Sequence, residues 1–502
     1  MSKSSSSCSS TCKDFPKEIP SYGDIGGIGV ALAFIVTAWM VVVVLIGYYL
    51  TVFDPKLDPF RKEGTQKLSR YPNSIDYSVH ELLQKIPGLG SNGGPRSARY
   101  LRLGAMLNAC ILMLADLQIF TALSILVGAY ASMGCEIVAY HWQYMIYLAW
   151  LASVTHLAGL SFLRNHLANN GVKCYWRLAA MFFIQSLLSA AVGLATHFGD
   201  DPWLKSGGGR PAICYFKEHT EVSSNSFQSA VKIIILLVWG FFIRVAKMFQ
   251  PFEGGLRKCA AQLHKKARNQ RYETYDRNEW DFRHGIFKNV KNLWLGPWII
   301  ATLEVLSIQL DLFTSFLAEV YWLLFSIIWI TIRLVNLRNL GNQDDSKWTF
   351  GQVLPVFLLI APFATAVETF CSKQETPHNQ EDPVNNDDIR GLGHTHTSGY
   401  RGVFFLGVLS YIEIGIYFVL SQRKAEGLAA PLIQIFVSVF AQLELQVFWV
   451  VSDLWLSNSR LNRTLKRTIC GFVFLLLSAM SISANFVYQM VKNMALSTYA
   501  HG

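Results

Sequence analysis

The chain has 502 residues, 52% hydrophobic and 16% charged, with a formal net charge of +10 at pH 7. Soluble chains carry about a quarter charged residues, so this composition excludes an ordinary water-soluble domain. The basic excess lies in loops beside apolar runs, which points to orientation in a membrane and away from nucleic acid as a partner.

In chain order, residues 1–24, beginning "MSKSSSSCSSTCK", are Ser-rich and polar and read as disordered, without the pattern of a cleaved signal peptide. The first span is expected at Ile25–Leu50, where an uninterrupted apolar run is long enough to cross ~30 Å of hydrocarbon as a helix. Further spans are expected at Leu103–Tyr130, Val138–Leu163, Leu178–Thr196 and Phe227–Lys247, then at Leu312–Ile332, Val353–Phe370, Val403–Leu420, Ile433–Val451 and Gly471–Met490. The result is an all-α polytopic bundle of about ten spans. It divides into a first half over 25–247, a basic loop over 248–297, a second half over 298–491 and a tail over 492–502. Trp298–Ile332 reads as one continuous helix, because "DLFTSFLAE" holds no Gly, Pro or Asn to turn the chain.

Loop charge sets the orientation. Thr51–Arg102 carries nine Lys and Arg and Lys247–Lys291 carries eleven, whereas Ala131–Ile137 carries none. Positive loops stay inside, so the N-terminus is expected outside, in the plasma membrane.

Four stretches, "DIGGIGV", "ADLQIFTALSILVGAYA", "YHWQYMIYLAWLASVTHLAGLSFLR" and "FLAEVYWLLFSIIW", resemble a group of uncharacterised polytopic membrane proteins of filamentous fungi. The resemblance is densest around the third span. It implies a fungal membrane protein and no particular activity.

Ionisable residues inside the spans are the candidate site. Asp116, Glu413 and Glu444 are costly in lipid and require partners or protons. His156 is expected to pair with Asn108 at a similar depth. Glu304, Ser307, Asp311, Ser315 and Glu319 follow i+3/i+4 spacing, which lines one helical face. Together Asp116, His156, Glu304, Asp311, Glu319, Glu413 and Glu444 form the expected polar route. Gln434, Ser438, Gln442 and Gln446 make a second stripe suited to bonding between helices. Tyr140, His141, Trp142 and Gln143 read as an interfacial belt, with His141 and Gln143 as candidates for an outer entrance. Cys135 and Cys214 both fall in outside loops, and a disulfide between them is expected.

His378, His394 and His396 are a weak metal signal, so no metal and no cofactor is expected. "GLGSNGG" lacks the ending of a phosphate-binding loop, and no catalytic motif is present. The expected function is therefore non-enzymatic handling of a small molecule or ion across the lipid bilayer. A receptor with a basic cytosolic coupling loop and a membrane scaffold are the alternatives. A cytosolic protein is a candidate partner of the 248–297 loop.

Overall fold

The computed structural model describes residues 12, 19–61, 67–85, 98–134, 136–162, 171–198, 209–216, 225–284, 290–339, 341, 348, 350–372, 398–420, 429–458, 462 and 464–480. Its helices are α1 (Ile28–Thr51), α2 (Ser74–Gln84), α3 (Ala98–Ala131), α4 (Ala139–Phe162), α5 (Gly171–Ala195), α6 (Asn225–Lys247), α7 (Gln250–His284), α8 (Val290–Thr314) and α9 (Phe316–Arg338). They continue with α10 (Phe350–Leu358), α11 (Ile360–Cys371), α12 (Ser398–Leu420), α13 (Ala429–Asn458) and α14 (464–480). No strand forms among the described residues. By length and composition, eight helical stretches among them can cross a membrane, starting at Ile28, Arg102, Ala139, Cys174, Gly296, Phe316, Phe350 and Val439. The fold is an all-α membrane bundle.

Helix α4 is its axis. It is apolar on every face, as a helix surrounded by others must be, and every residue except Gln143 is buried. Helices α1, α3, α5, α6 and α9 pack around it. Although α9 and α11 lie beyond the basic 248–297 segment, both contribute to this same core. A second cluster unites α8, α12, α13 and α14 with Ile75 of α2.

Contacts define two ends of the bundle. At one, Trp142 Nε1 donates to the Ala191 carbonyl at 3.1 Å. Gly341 there lies so close to Tyr140 that an added Cβ would fall 2.2 Å from the hydroxyl. At the other end Tyr49 stacks on Phe316 at 5.5 Å, and Tyr48 meets Phe162 edge-on at 4.2 Å. We call these the Tyr140 end and the Tyr49 end.

Two expectations are corrected here. Trp298–Ile332 is not one helix: α8 stops at Thr314 and α9 starts at Phe316. The expected interfacial belt is covered by protein and does not face solvent or headgroups, because Tyr140 and His141 are 1% exposed and Trp142 is fully buried. The physical cause is cover from other segments. Residues 209–212 bond across the start of α4, with Ala139 N donating to Arg210 O and Ala212 N to Ile137 O. The ring of Tyr22 lies 5.6 Å from that of His141.

Candidate functional site

The break between α8 and α9 gathers Asp76, Lys247, Asp311 and Glu319. A broken helix leaves carbonyls of its first half and amides of its second half without intrahelical partners. Ser315 answers locally: its hydroxyl donates to Leu312 O at 2.8 Å and accepts from Ala318 N at 3.1 Å. The remaining partners come from far away in sequence. Asn73 Nδ2 donates to Asp311 O at 2.7 Å and to Thr314 Oγ1 at 3.0 Å. Lys247 Nζ donates to Phe313 O at 2.5 Å. The Asp76 carboxylate accepts from Phe316 N at 2.9 Å and Leu317 N at 3.3 Å. A cation thus sits at a helix C-terminus and an anion at a helix N-terminus, the polarity the two helix dipoles favour.

Helix α2 delivers Asn73 and Asp76 together. Asn73 caps it, accepting from Ile75 N and Asp76 N. Ser74 donates to the Asp311 carboxylate, while Tyr400 OH donates to Ser74 Oγ at 3.0 Å. Tyr49 OH donates to Asp76 at 3.1 Å. Burial pushes the Asp76 carboxyl up to about 6, although the amides of Phe316 and Leu317, the charge of Arg257 and the Tyr49 hydroxyl pull the other way. Beside it, Lys247 and Glu319 form an ion pair at 3.2 Å, with side chains 4% and 6% exposed.

The acidic stripe therefore meets protein. Arg271 pairs with Glu304 at 2.8 Å, and His264 lies 3.3 Å from Ser307 Oγ. Arg257, His264 and Arg271 recur every seven residues, so they share one face of α7. The glutamine stripe is also an interhelical network. Gln309 donates to Gln446 at 2.6 Å, Ser410 to Gln442 at 3.1 Å and Gln442 to Glu413 at 2.5 Å. The side chains of Gln434 and Ser438 lie outside the described residues.

The other expected route residues do not join this cluster. Asp116 is gripped by Arg177 through two bonds of 2.7 and 2.6 Å. Glu444 is exposed. His156 is fully buried, and neither ring nitrogen has a hydrogen-bond partner, so its expected pairing with Asn108 is not formed. Gln143 is half-buried, and the aromatic cover described above closes over His141.

The expected Cys135–Cys214 bridge is also corrected. Cys214 is bonded to Cys12, with Cα atoms 5.7 Å apart, because the N-terminal segment reaches the loop that covers α4. Cys135, His378, His394 and His396 lie outside the described residues. Among those described, no three His, Cys, Asp or Glu side chains gather to hold a metal.

Asn73, Ser74, Asp76, Lys247 and Arg177 were not singled out by sequence reasoning. The run "NSID", a helix-capping residue with an acid three positions on, marks the start of α2. It does not reveal that the same acid caps a second helix.

A separate apolar cleft of about 470 Å³ lies between α1, α3 and α11, lined by Trp39, Met40, Cys110, Leu114, Pro362 and Phe363 among others.

Over 89 residues the chain is 29% identical to a protein of Elsinoe fawcettii named Elsinochromes biosynthesis cluster protein HP2. That alignment spans 17% of this chain and 23% of the length of that curated relative. No family model matches the chain, and no solved structure matches it.

Proposed function

We propose that this is a transporter-like protein that moves a small molecule or ion without chemical conversion. It sits in the plasma membrane with its N-terminus outside, and the α8–α9 break forms the cytosolic mouth. The observation that carries the reading is the set of exchangeable partners at the break. Lys247 occupies a helix C-terminus and Asp76 a helix N-terminus through side chains alone, so a passing cation can take the first place and an anionic group the second. Ionisable groups facing the mouth of a bundle mark ion and solute paths, and helix ends whose carbonyls and amides can be passed to a ligand are where transporters hold their cargo. The loop charges support the orientation. The biosynthesis cluster in the name of the similar protein favours an organic molecule as cargo, as does the size of the apolar cleft.

The test compares cells lacking the protein with cells restored by the wild type or by the double variant Asp311→Asn with Glu319→Gln. Small molecules are quantified in the cells and in the medium. The wild type should shift at least one compound between the two, and the double variant should not, while still reaching the membrane. If deletion leaves every compound distributed as before, the transport reading fails and a scaffold role gains ground.

A further inference from the structure

Hydropathy admits Gly296–Thr314, most of α8, as a membrane span. The path of the chain does not. Lys247, the last residue of α6, bonds to Glu319 in the first turn of α9, so the chain leaves and rejoins the bundle at the Tyr49 end. From there α9 runs to the Tyr140 end, where Gly341 meets Tyr140. Residues 248–315 therefore cross the bilayer either twice or not at all. Two crossings require α7, the long helix packed along α8, to be one of them. Between Gly254 and Arg271 that helix carries six Lys and Arg and no acid. Lys258, Lys265, Lys266 and Arg268 are exposed. Such a face is not stable in hydrocarbon.

We propose that the α7–α8 pair does not cross the membrane but lies on the leaflet at the Tyr49 end, its exposed cationic face held by anionic lipid headgroups. Three observations favour lipid as the occupant. Arg257, which acts on Asp311, His264 and Arg271 are turned towards α8 and its neighbours. This leaves Lys258, Lys265 and Lys266 as an outward face, with exposed Arg268 at its edge, that no acid of the same stretch balances. Phe249 and Phe252, at the start of α7, are 52% and 39% exposed. They follow within a few residues the exposed Trp239 and Phe242 of α6, so the apolar outer face of the bundle runs directly into the cationic one. Trp298, Ile299 and Leu306 add an exposed apolar strip on α8 itself. Aromatic and aliphatic anchors beside clustered lysines are the makeup of an element that rests in the headgroup layer and selects anionic lipid.

The experiment uses the full-length protein in nanodiscs of phosphatidylcholine alone and of phosphatidylcholine with about one part in three phosphatidylserine. Lysine acetylation rates are read peptide by peptide by mass spectrometry. Modification of Lys258, Lys265 and Lys266 should slow at least fivefold in the anionic discs and recover in high salt. In sealed vesicles, cysteines introduced as His284→Cys, at the end of α7, and Lys85→Cys should react with an impermeant label from the same side. Reaction from opposite sides would overturn the surface placement. Equal lysine rates in both lipids would overturn the headgroup contact, and so would protection in phosphatidylcholine discs that appears only when cytosolic protein is added. The variant K258Q/K265Q/K266Q/R268Q keeps the face turned to α8. It should fold with an unchanged melting temperature in detergent, and backbone hydrogen exchange at Phe249 and Phe252 should then be the same in both lipids.

Discussion

Lys247 and Glu319 sit nearly out of reach of solvent, so neither charge tolerates losing the other. Replacing only Lys247 with Met, or only Glu319 with Leu, should cost roughly 3–5 kcal/mol, while the double replacement should cost far less. A double-mutant cycle from thermal unfolding in detergent checks this; additive losses would contradict the pairing. Asp76 carries a pH dependence of definite sign. Its carboxyl titrates at about 6 in the fold against an ordinary 3.8, so the folded state binds the proton more tightly. The associated stability is complete below 3.8 and is lost as pH rises through about 6, a span worth about 3 kcal/mol. Wild type should lose more stability than Asp76→Asn between pH 4 and 6.5, and parallel curves would show that Asp76 is not the group responsible. His156 gives the opposite kind of prediction. With no partner for either ring nitrogen, His156→Leu should be neutral or stabilising by about 1–3 kcal/mol, and His156→Asn should be worse. Melting temperatures in the reverse order would reveal a partner for the imidazole.

The helices differ in how far their own residues specify them. The span of α4 could be read directly from its apolar run. Its environment could not, since Tyr, His, Trp and Gln in sequence have the composition of a membrane interface. Among the described residues, 209–212, Tyr22 and Gly341 supply the cover. The Ser315 break was illegible for a related reason. "DLFTSFLAE" contains no residue that forces a turn, and the groups that stabilise one there include Asn73, 238 positions before Asp311. The acidic spacing holds for Glu304, Ser307 and Asp311 on α8 but not for Glu319, which belongs to α9, and the basic heptad of α7 that meets the α8 residues lay in a segment read as a loop. Close approach of α1 and α10 offers a test at this scale. A Cβ on Gly29 would fall 2.3 Å from the backbone oxygen of Gln352, whereas one on Gly47 meets nothing within 4 Å. Gly29→Ala should therefore destabilise by about 1–3 kcal/mol, and Gly47→Ala should stabilise by up to about 1 kcal/mol. Similar unfolding curves for the two variants would show that α10 is free to move away.

Across the whole molecule, two clusters of helices meet at a joint bridged by the short helix α2. Helix α2 inserts Ile75 into one cluster, hands Asp76 to the start of a helix in the other and ties Asp311 through Ser74. Movement of one cluster against the other strains these α2 contacts, together with the direct bond from Tyr321 of α9 to Tyr411 O of α12. The covalent link at the opposite end has a consequence for how the protein is made. Cys12 cannot find its partner until residue 214 has left the ribosome, 202 positions later. By then α1, α3, α4 and α5 have all been synthesised. Closure of the ring is thus a late event that seals an already threaded set of helices. A nascent chain arrested before Cys214 would leave Cys12 open to mispairing.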